Sequence, residues 1–212
     1  MRQANPQRQS DRRTEILDAA ERCFARAGFH RASMQDICGE AAMSPGNLYR
    51  YFASKEALIA GICERNRADA VESFSLVDSA PEFFDGLAGL ARHHLVDRSD
   101  DDVALCAEIM AESRRHPEIA KLYQGIEGEI KDRIAAMLRR AAERGEIRDD
   151  VDVDAAASVL MVLGDGMSWR RSVDPTFDAE SALPMILKMV HCLLAKPKDH
   201  SAAGTQGDGV KS

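Results

Sequence analysis

The chain reads as all-α. Its apolar residues recur at the 3.6-residue helical period from end to end, its helix starts and stops carry capping residues, and no segment alternates like a half-buried strand. With 212 residues, 45% of them hydrophobic, it can bury a full core as one large domain or as a small domain followed by a medium one.

Each element follows from local chemistry. Ile16, Ala20, Cys23, Phe24 and Ala27 fall at i, i+4, i+7, i+8 and i+11, one stripe of a helix that begins near Ser10 and stops at Gly28. Ser33, with Asp36 three residues on, caps a short helix that buries Ile37 and Ala41 and ends near Ala42. Ser44 followed by Pro45 opens a third helix of two turns, because proline's missing N–H costs nothing at N1. Ser54 caps a fourth, from Lys55 to about Asn66, with Leu58, Ile59 and Ile62 inward. Pro81 opens a helix to about Val96, and Asp100, Asp101 and Asp102 suit the positive end of the next, which Pro117 closes or kinks. A long amphipathic helix runs from about Glu118 to Arg144 and stops at Gly145; an apolar one spans about Ala155 to Val173. The last reaches Ala195, with Pro184 marking either a kink or its true start. The small, polar segment 197–212 reads as a disordered tail, and 1–13 as a flexible basic arm in which Arg2, Arg8, Arg12 and Arg13 could reach DNA.

Two short helices joined by a tight turn and braced by a longer one form a helix-turn-helix, whose later helix enters the DNA major groove. In "MSPGNLYRYFASKEAL", Leu48 and Phe52 lie four apart and share the packing face. Pro45, Gly46, Asn47, Arg50 and Tyr51, with Tyr49 at the flank, are left on the other. Arg pairs with guanine and Asn with adenine, while a glycine lets the backbone approach base edges. Tyrosine hydroxyls, Ser33 and Lys55 suit phosphates, which set register.

Residues 14 to 62, through "ILDAAERCFARAGF", "SMQDICGEAAMS" and "PGNLYRYFASKEAL", resemble the TetR family of one-component transcriptional regulators in order and spacing. That resemblance implies phosphate contacts for Ser33, Tyr49, Tyr51 and Lys55, and base-edge or close backbone contacts for Gln35, Pro45, Gly46, Asn47 and Arg50. Two positions depart from the family: Ala42 stands where a turn glycine is common, and Gly39 lies inside the second helix. The DNA-binding unit is thus expected over 14–66 and a ligand-binding and dimerisation unit over 67–196.

One two-turn helix reads about four base pairs, so a homodimer on a palindromic double-stranded DNA operator is expected. The family pairs its two C-terminal helices with their mates; here these offer Val159, Val162, Gly166 and Trp169, then Ile186, Met189, Val190 and Leu193. The helices between enclose a ligand cavity in the family, for which Phe74, Leu87, Leu90, His94, Leu105, Ile109, Met110, Glu112, Tyr123, Met137 and Trp169 are candidates, suiting a small apolar or aromatic effector. Effector binding would move the fourth helix and re-space the two heads.

The composition narrows the alternatives. The net charge of −7 divides into +3 over residues 1–67 and −10 over the remainder, which leaves the first end to meet a polyanion and argues against a nonspecific chromatin-like binder. No apolar leader and no run of about 18 apolar residues appears, so a cytoplasmic protein that crosses no membrane is expected. Five cysteines scattered singly on apolar stripes read as reduced core thiols. Glu108, Glu112 and His116, at i, i+4 and i+8, with His93 and His94 on the preceding helix, are the one metal-like group. Arg114, Arg115 and Pro117 crowd that end and the stripe reads as a solvated acidic face, so no metal and no cofactor is expected. A helical enzyme or a metal-responsive regulator built on that stripe is the competing reading; no phosphate loop, nucleophile elbow or HExxH pattern supports an enzyme.

Overall fold

The computed structural model describes residues 6–197, and among the described residues it consists of ten α-helices and no strand. Helix α1 runs Pro6–Ala27, α2 Met34–Glu40, α3 Pro45–Tyr51, α4 Lys55–Ser73 and α5 Ser75–Ser79. They are followed by α6 Phe83–Leu95, α7 Asp100–Ser113, α8 Pro117–Glu143, α9 Val153–Val173 and α10 Ala179–Leu194. No helix is long and apolar enough to cross a membrane.

The start of α1 corrects the expected arm. Arg8, Arg12 and Arg13 are helical: Arg13 lies over the Phe52 ring at 4.3 Å, and Arg12 pairs with Glu15 and donates to the Ala41 carbonyl at 3.4 Å. Arg12 and Arg13 brace the head, while Arg2 and the tail beyond Pro197 lie outside the described residues. Helix α4 is also longer than its apolar stripe suggested, so residues 66 and 67, the expected division between units, fall inside one continuous helix. Pro117 sits at N1 and opens α8, and Pro184 lies inside α10, whose true start is capped by Asp178 accepting from Ser181 N at 3.1 Å. Helix α5 has no clear sequence signal; at one and a half turns it is too short to show a period.

Two cores divide the molecule. In the first, Ile16, Ala20, Cys23 and Phe24 of α1 meet Ile37, Leu48, Phe52, Leu58 and Ile62, and the cluster extends to Leu105 and Ile109 of α7 and Ile119 of α8. Helix α4 crosses close enough that a Cβ on Gly61 would stand 2.9 Å from Leu17 and from the Phe52 ring, so glycine sets that crossing. The second core packs α6, α8, α9 and α10 around Leu87, Leu90, Met137, Leu138, Ile147 and Leu194. Full burial of each such side chain contributes about 1.5–3 kcal/mol, which fixes the helices that frame the sites below.

Candidate nucleic-acid interface and interior cavity

The turn between α2 and α3 orients the reading helix. Met43 N donates to Cys38 O at 3.0 Å and Ala42 N to Gly39 O at 3.2 Å, the paired bonds of a Schellman turn, which requires a left-handed residue at its fifth position. That residue is Ala42, with φ 49°. The same turn after α8 uses Gly145, φ 71°. The departure from the family glycine is therefore strained backbone held by the surrounding packing. Ser44 occupies the cap position of α3 without making a side-chain cap bond, whereas Ser33 closes a full capping box with Asp36, whose carboxyl falls below its ordinary range by accepting from the Ser33 hydroxyl and N–H.

On α3 the two faces separate by helical period. Leu48 and Phe52 are buried; Pro45, Gly46, Tyr49 and Arg50 are exposed and Asn47 is half-exposed, with Gln35 exposed on α2 beside them. Among the described residues, no hydrogen bond or ion pair holds the side chains of Gln35, Asn47, Tyr49 or Arg50. A Cβ on Gly46 would meet nothing within 4 Å, so the chain's own packing does not demand glycine there. The phosphate candidates fare differently. Tyr51 packs against the first core, and the Ser33 hydroxyl already donates to Asp36 at 2.6 Å. Lys55 Nζ donates to the carbonyls of Phe29, Ala32 and His30 at 2.6, 2.9 and 3.3 Å and sits 4.4 Å from the Phe29 ring centroid. Its three N–H bonds are spent on residues 29–32, which corrects its expected place as a free phosphate clamp.

The same segment explains the metal-like stripe. Glu108 accepts from Phe29 N at 3.1 Å. Glu112 is 1% exposed and receives His30 Nε2 at 2.8 Å, with Arg115 and His116 each at 3.2 Å. The stripe is therefore an interior joint between α7 and the loop after α1, not a solvated face. Among the described residues no group of His, Cys, Asp or Glu has a metal-binding arrangement.

Helices α4, α6, α7, α8, α9 and α10 enclose a cavity of about 330 Å³. Its wall includes the anticipated Phe74, Leu87, Leu90, His94, Ile109, Met110, Tyr123 and Met137. Three anticipated residues lie elsewhere: Leu105 points into the first core, Glu112 into the joint, and Trp169 is 54% exposed on the outer side of α9. The wall also contains Arg98, Glu127, Asp165 and Ser168; periodicity could not flag Glu127 or Asp165, because charged residues on a long helix ordinarily mark its wet side. His94 Nε2 lies 2.7 Å from the Ser73 hydroxyl, which itself donates to Ala70 O at 2.7 Å, so the imidazole supplies the hydrogen. Burial holds His94 down to about 4, helped by the neighbouring His93 and Arg98. Burial and the Asp165 charge push Glu127 up, and burial raises Tyr123 and Asp165, although Asp165 keeps part of its side chain in solvent.

The outer surface of α9 and α10 is apolar. Val159, Val162, Gly166, Trp169 and Val173 on α9 are exposed in one stripe, as are Met185, Met189 and Leu193 on α10. Ile186 and Val190, expected on that surface, instead face inward and line the cavity. Met185, 62% exposed, takes their place outside.

Comparison with known proteins accords with this architecture. Residues 16–62 match the model of bacterial regulatory proteins of the TetR family, and residues 90–195 match that of the BetI-type transcriptional repressor C-terminal domain. The HTH-type transcriptional regulator UidR of Escherichia coli K12 is 36% identical over 155 residues, 73% of this chain and 79% of UidR. Salmonella enterica GusR superposes with a TM-score of 0.75 at 34% identity, covering 87% of this chain and 95% of GusR. A transcriptional regulator from Saccharomonospora viridis, solved in complex with choline, shares the fold with a TM-score of 0.78 at 22% identity, covering 89% of this chain and 100% of its own. With residues 16–62 and 90–195 both matched and UidR 36% identical over most of its length, the chain belongs to the TetR family of helix-turn-helix transcriptional regulators.

Proposed function

We propose that this regulator is a cytoplasmic homodimeric repressor that binds a palindromic operator through the outward face of α3 and is released by a small effector in the interior cavity. The observation that carries the reading is the division of α3 into a buried Leu48–Phe52 side and a side whose Asn47, Tyr49 and Arg50 have no partner among the described residues. Arg50 and Asn47 are assigned to base edges, with Gln35, Pro45 and Gly46 close to them, and Tyr49 and Tyr51 to phosphates. Residues 14–66 act as the reading unit and 67–196 as the effector and pairing unit, joined by the continuous α4.

Pairing is assigned to the outer stripe of Val159, Val162, Gly166, Trp169, Met185, Met189 and Leu193, an apolar face that a single copy leaves in water. The cavity gives two mechanical routes to the head. Cys63, Asn66 and Ala70 of α4 form part of its wall, and so do Cys106 and Met110 of α7, each two residues from Glu108 or Glu112 of the joint to residues 28–32. An effector that favours the wall positions of the DNA-free state would shift both helices and lower DNA affinity, with a coupling on the order of 1–3 kcal/mol. With Glu112 closed on His30, Arg115 and His116, the stripe serves transmission and not metal sensing.

The test is selection of random DNA fragments by the purified protein, followed by sequencing. The expected product is an inverted repeat whose half-sites lie about 34 Å apart or a multiple of it. A selected site without symmetry, or no enrichment over the starting pool, would contradict the reading.

A further inference from the structure

The cavity wall is apolar over most of its extent, with Phe74, Leu87, Leu90 and Ile109 among its contributors, yet it contains two carboxylates. Glu127 lies one turn from Tyr123 on α8, and Asp165 stands on α9 in the same wall, where its charge acts on both. Among the described residues, neither carboxylate forms an ion pair. The two cations of the wall do not serve them. Arg67 is held by Glu64 at 2.6 Å and Glu129 at 2.9 Å, while Arg98 contacts Cys106 Sγ at 3.6 Å and, among the described residues, forms no ion pair with either acid.

Two like charges on one apolar wall, Glu127 half-buried and Asp165 still reaching solvent, repel each other and are costly in the empty protein. A positive group between them removes that cost, and among the described residues no cationic side chain pairs with either acid. From this geometry we infer that the effector is an amphipathic organic cation, whose ammonium group sits between Glu127 and Asp165 beside the Tyr123 ring and whose apolar body lies on the remaining wall. The volume of about 330 Å³ is at the small end of ligand pockets, so the body is compact. Tyr123 adds the attraction of its ring face for a desolvated cation. The inference rests on the reading of this cavity as the effector site.

The experiment is calorimetric titration of the full chain at pH 8 with three probes of similar size: benzyltrimethylammonium, its uncharged isostere neopentylbenzene, and the anion phenylacetate. The cation is expected to bind at least tenfold more tightly than either of the others. Asp165→Asn, at a position with solvent contact, should reduce that preference at least threefold; adding Glu127→Gln should bring cation and isostere within about twofold while the isostere's own affinity stays unchanged. Equal binding of cation and isostere, tighter binding of phenylacetate, or a preference that survives Asp165→Asn would overturn the inference and leave the effector cavity standing. If none of the three probes binds, the cavity reading falls with it.

Discussion

On α3, Gln35's neighbours Asn47, Tyr49 and Arg50 stand without partners in water, while on the cavity wall Glu127 and Asp165 stand without a cation where burial already raises both carboxyls. The two situations differ in cost. A solvated guanidinium or amide loses nothing by having no protein partner, so the head marks its site by position alone: one face of a short helix whose other face is buried. A carboxylate partly withdrawn from water, as Glu127 is, is destabilised until something neutralises it, so the proposed effector site would be marked by stored free energy. Between the two lies a region of another kind, the segment 28–32, where Lys55 and Glu108 are hydrogen-bonded to the backbone and Glu112 is ion-paired to His30 while its buried Oε2 accepts no hydrogen bond. The proposed binding surfaces are places where whole side chains are left over, whereas at the joint the side chains are paired and a single carboxylate oxygen, Glu112 Oε2, is left without a hydrogen bond.

The comparison can be broken at the outer apolar face first. Trp169→Asp puts a charge at the centre of the stripe from Val159 to Val173 and should weaken self-association by roughly 2–4 kcal/mol, the loss typical of a central aromatic. Sedimentation of the variant at micromolar concentration should show monomer, and an intact dimer would move the interface elsewhere. Next is acid. An unfolded chain protonates His94 near 6.5, whereas the folded one resists until about 4, so the unfolded state binds the extra proton across that window and stability falls as pH drops through it. The loss should approach roughly 3 kcal/mol by pH 4 and should be much smaller in His94→Gln, read as the difference between their urea midpoints at pH 7 and pH 4.5. Glu127 and Asp165 act in the other direction. Their raised folded values give stability that is present at low pH and lost as pH rises from the ordinary carboxyl range through the raised one, so their substitution should flatten the opposite slope.

Lys55→Ala sharpens the distinction between engaged and left-over groups. Removing the ammonium strands the carbonyls of Phe29, His30 and Ala32 and should lower thermal stability by about 1–2 kcal/mol, with the salt dependence of DNA binding unchanged. A slope reduced by about one phosphate at unchanged stability would return Lys55 to the DNA. The smallest effect is expected at the turn. Ala42→Gly relieves a left-handed alanine and should stabilise the protein by about 0.5–1 kcal/mol, and an unchanged or lower urea midpoint would mean that the φ of 49° carries no strain.

Much of this was legible in the sequence where a rule has a short range. The stripe of Ile16, Ala20, Cys23 and Phe24, the cap at Ser33 and the Leu48–Phe52 pairing follow from period and capping chemistry, and the structure has them as expected. The strain at Ala42 was visible as a non-glycine residue where the family turns left-handed. What escaped depends on contacts across the fold. Lys55 finds its carbonyls 23 to 26 residues away, and Glu112 meets His30 across the α1–α7 junction, so neither could be told from a surface charge by spacing. Ile186 and Val190 share the apolar periodicity of Met189 and Leu193, and only the packing of α10 on α6 and α9 decides which of them faces inward. Glu127 was missed for a related reason: on α8, already rich in charge, only the cavity shows which acid lines it, and Asp165 stands alone on an apolar helix whose cavity side the spacing does not identify.

The central claim is that the left-over face of α3 reads base edges, and Arg50 tests it most directly. Binding of wild type and Arg50→Ala should be measured on the selected operator and on random duplex of equal length at the same salt. The expected result is a loss of about 1–3 kcal/mol on the operator, with affinity for random DNA nearly unchanged. An equal loss on both would mean that Arg50 touches only the backbone and would contradict the account.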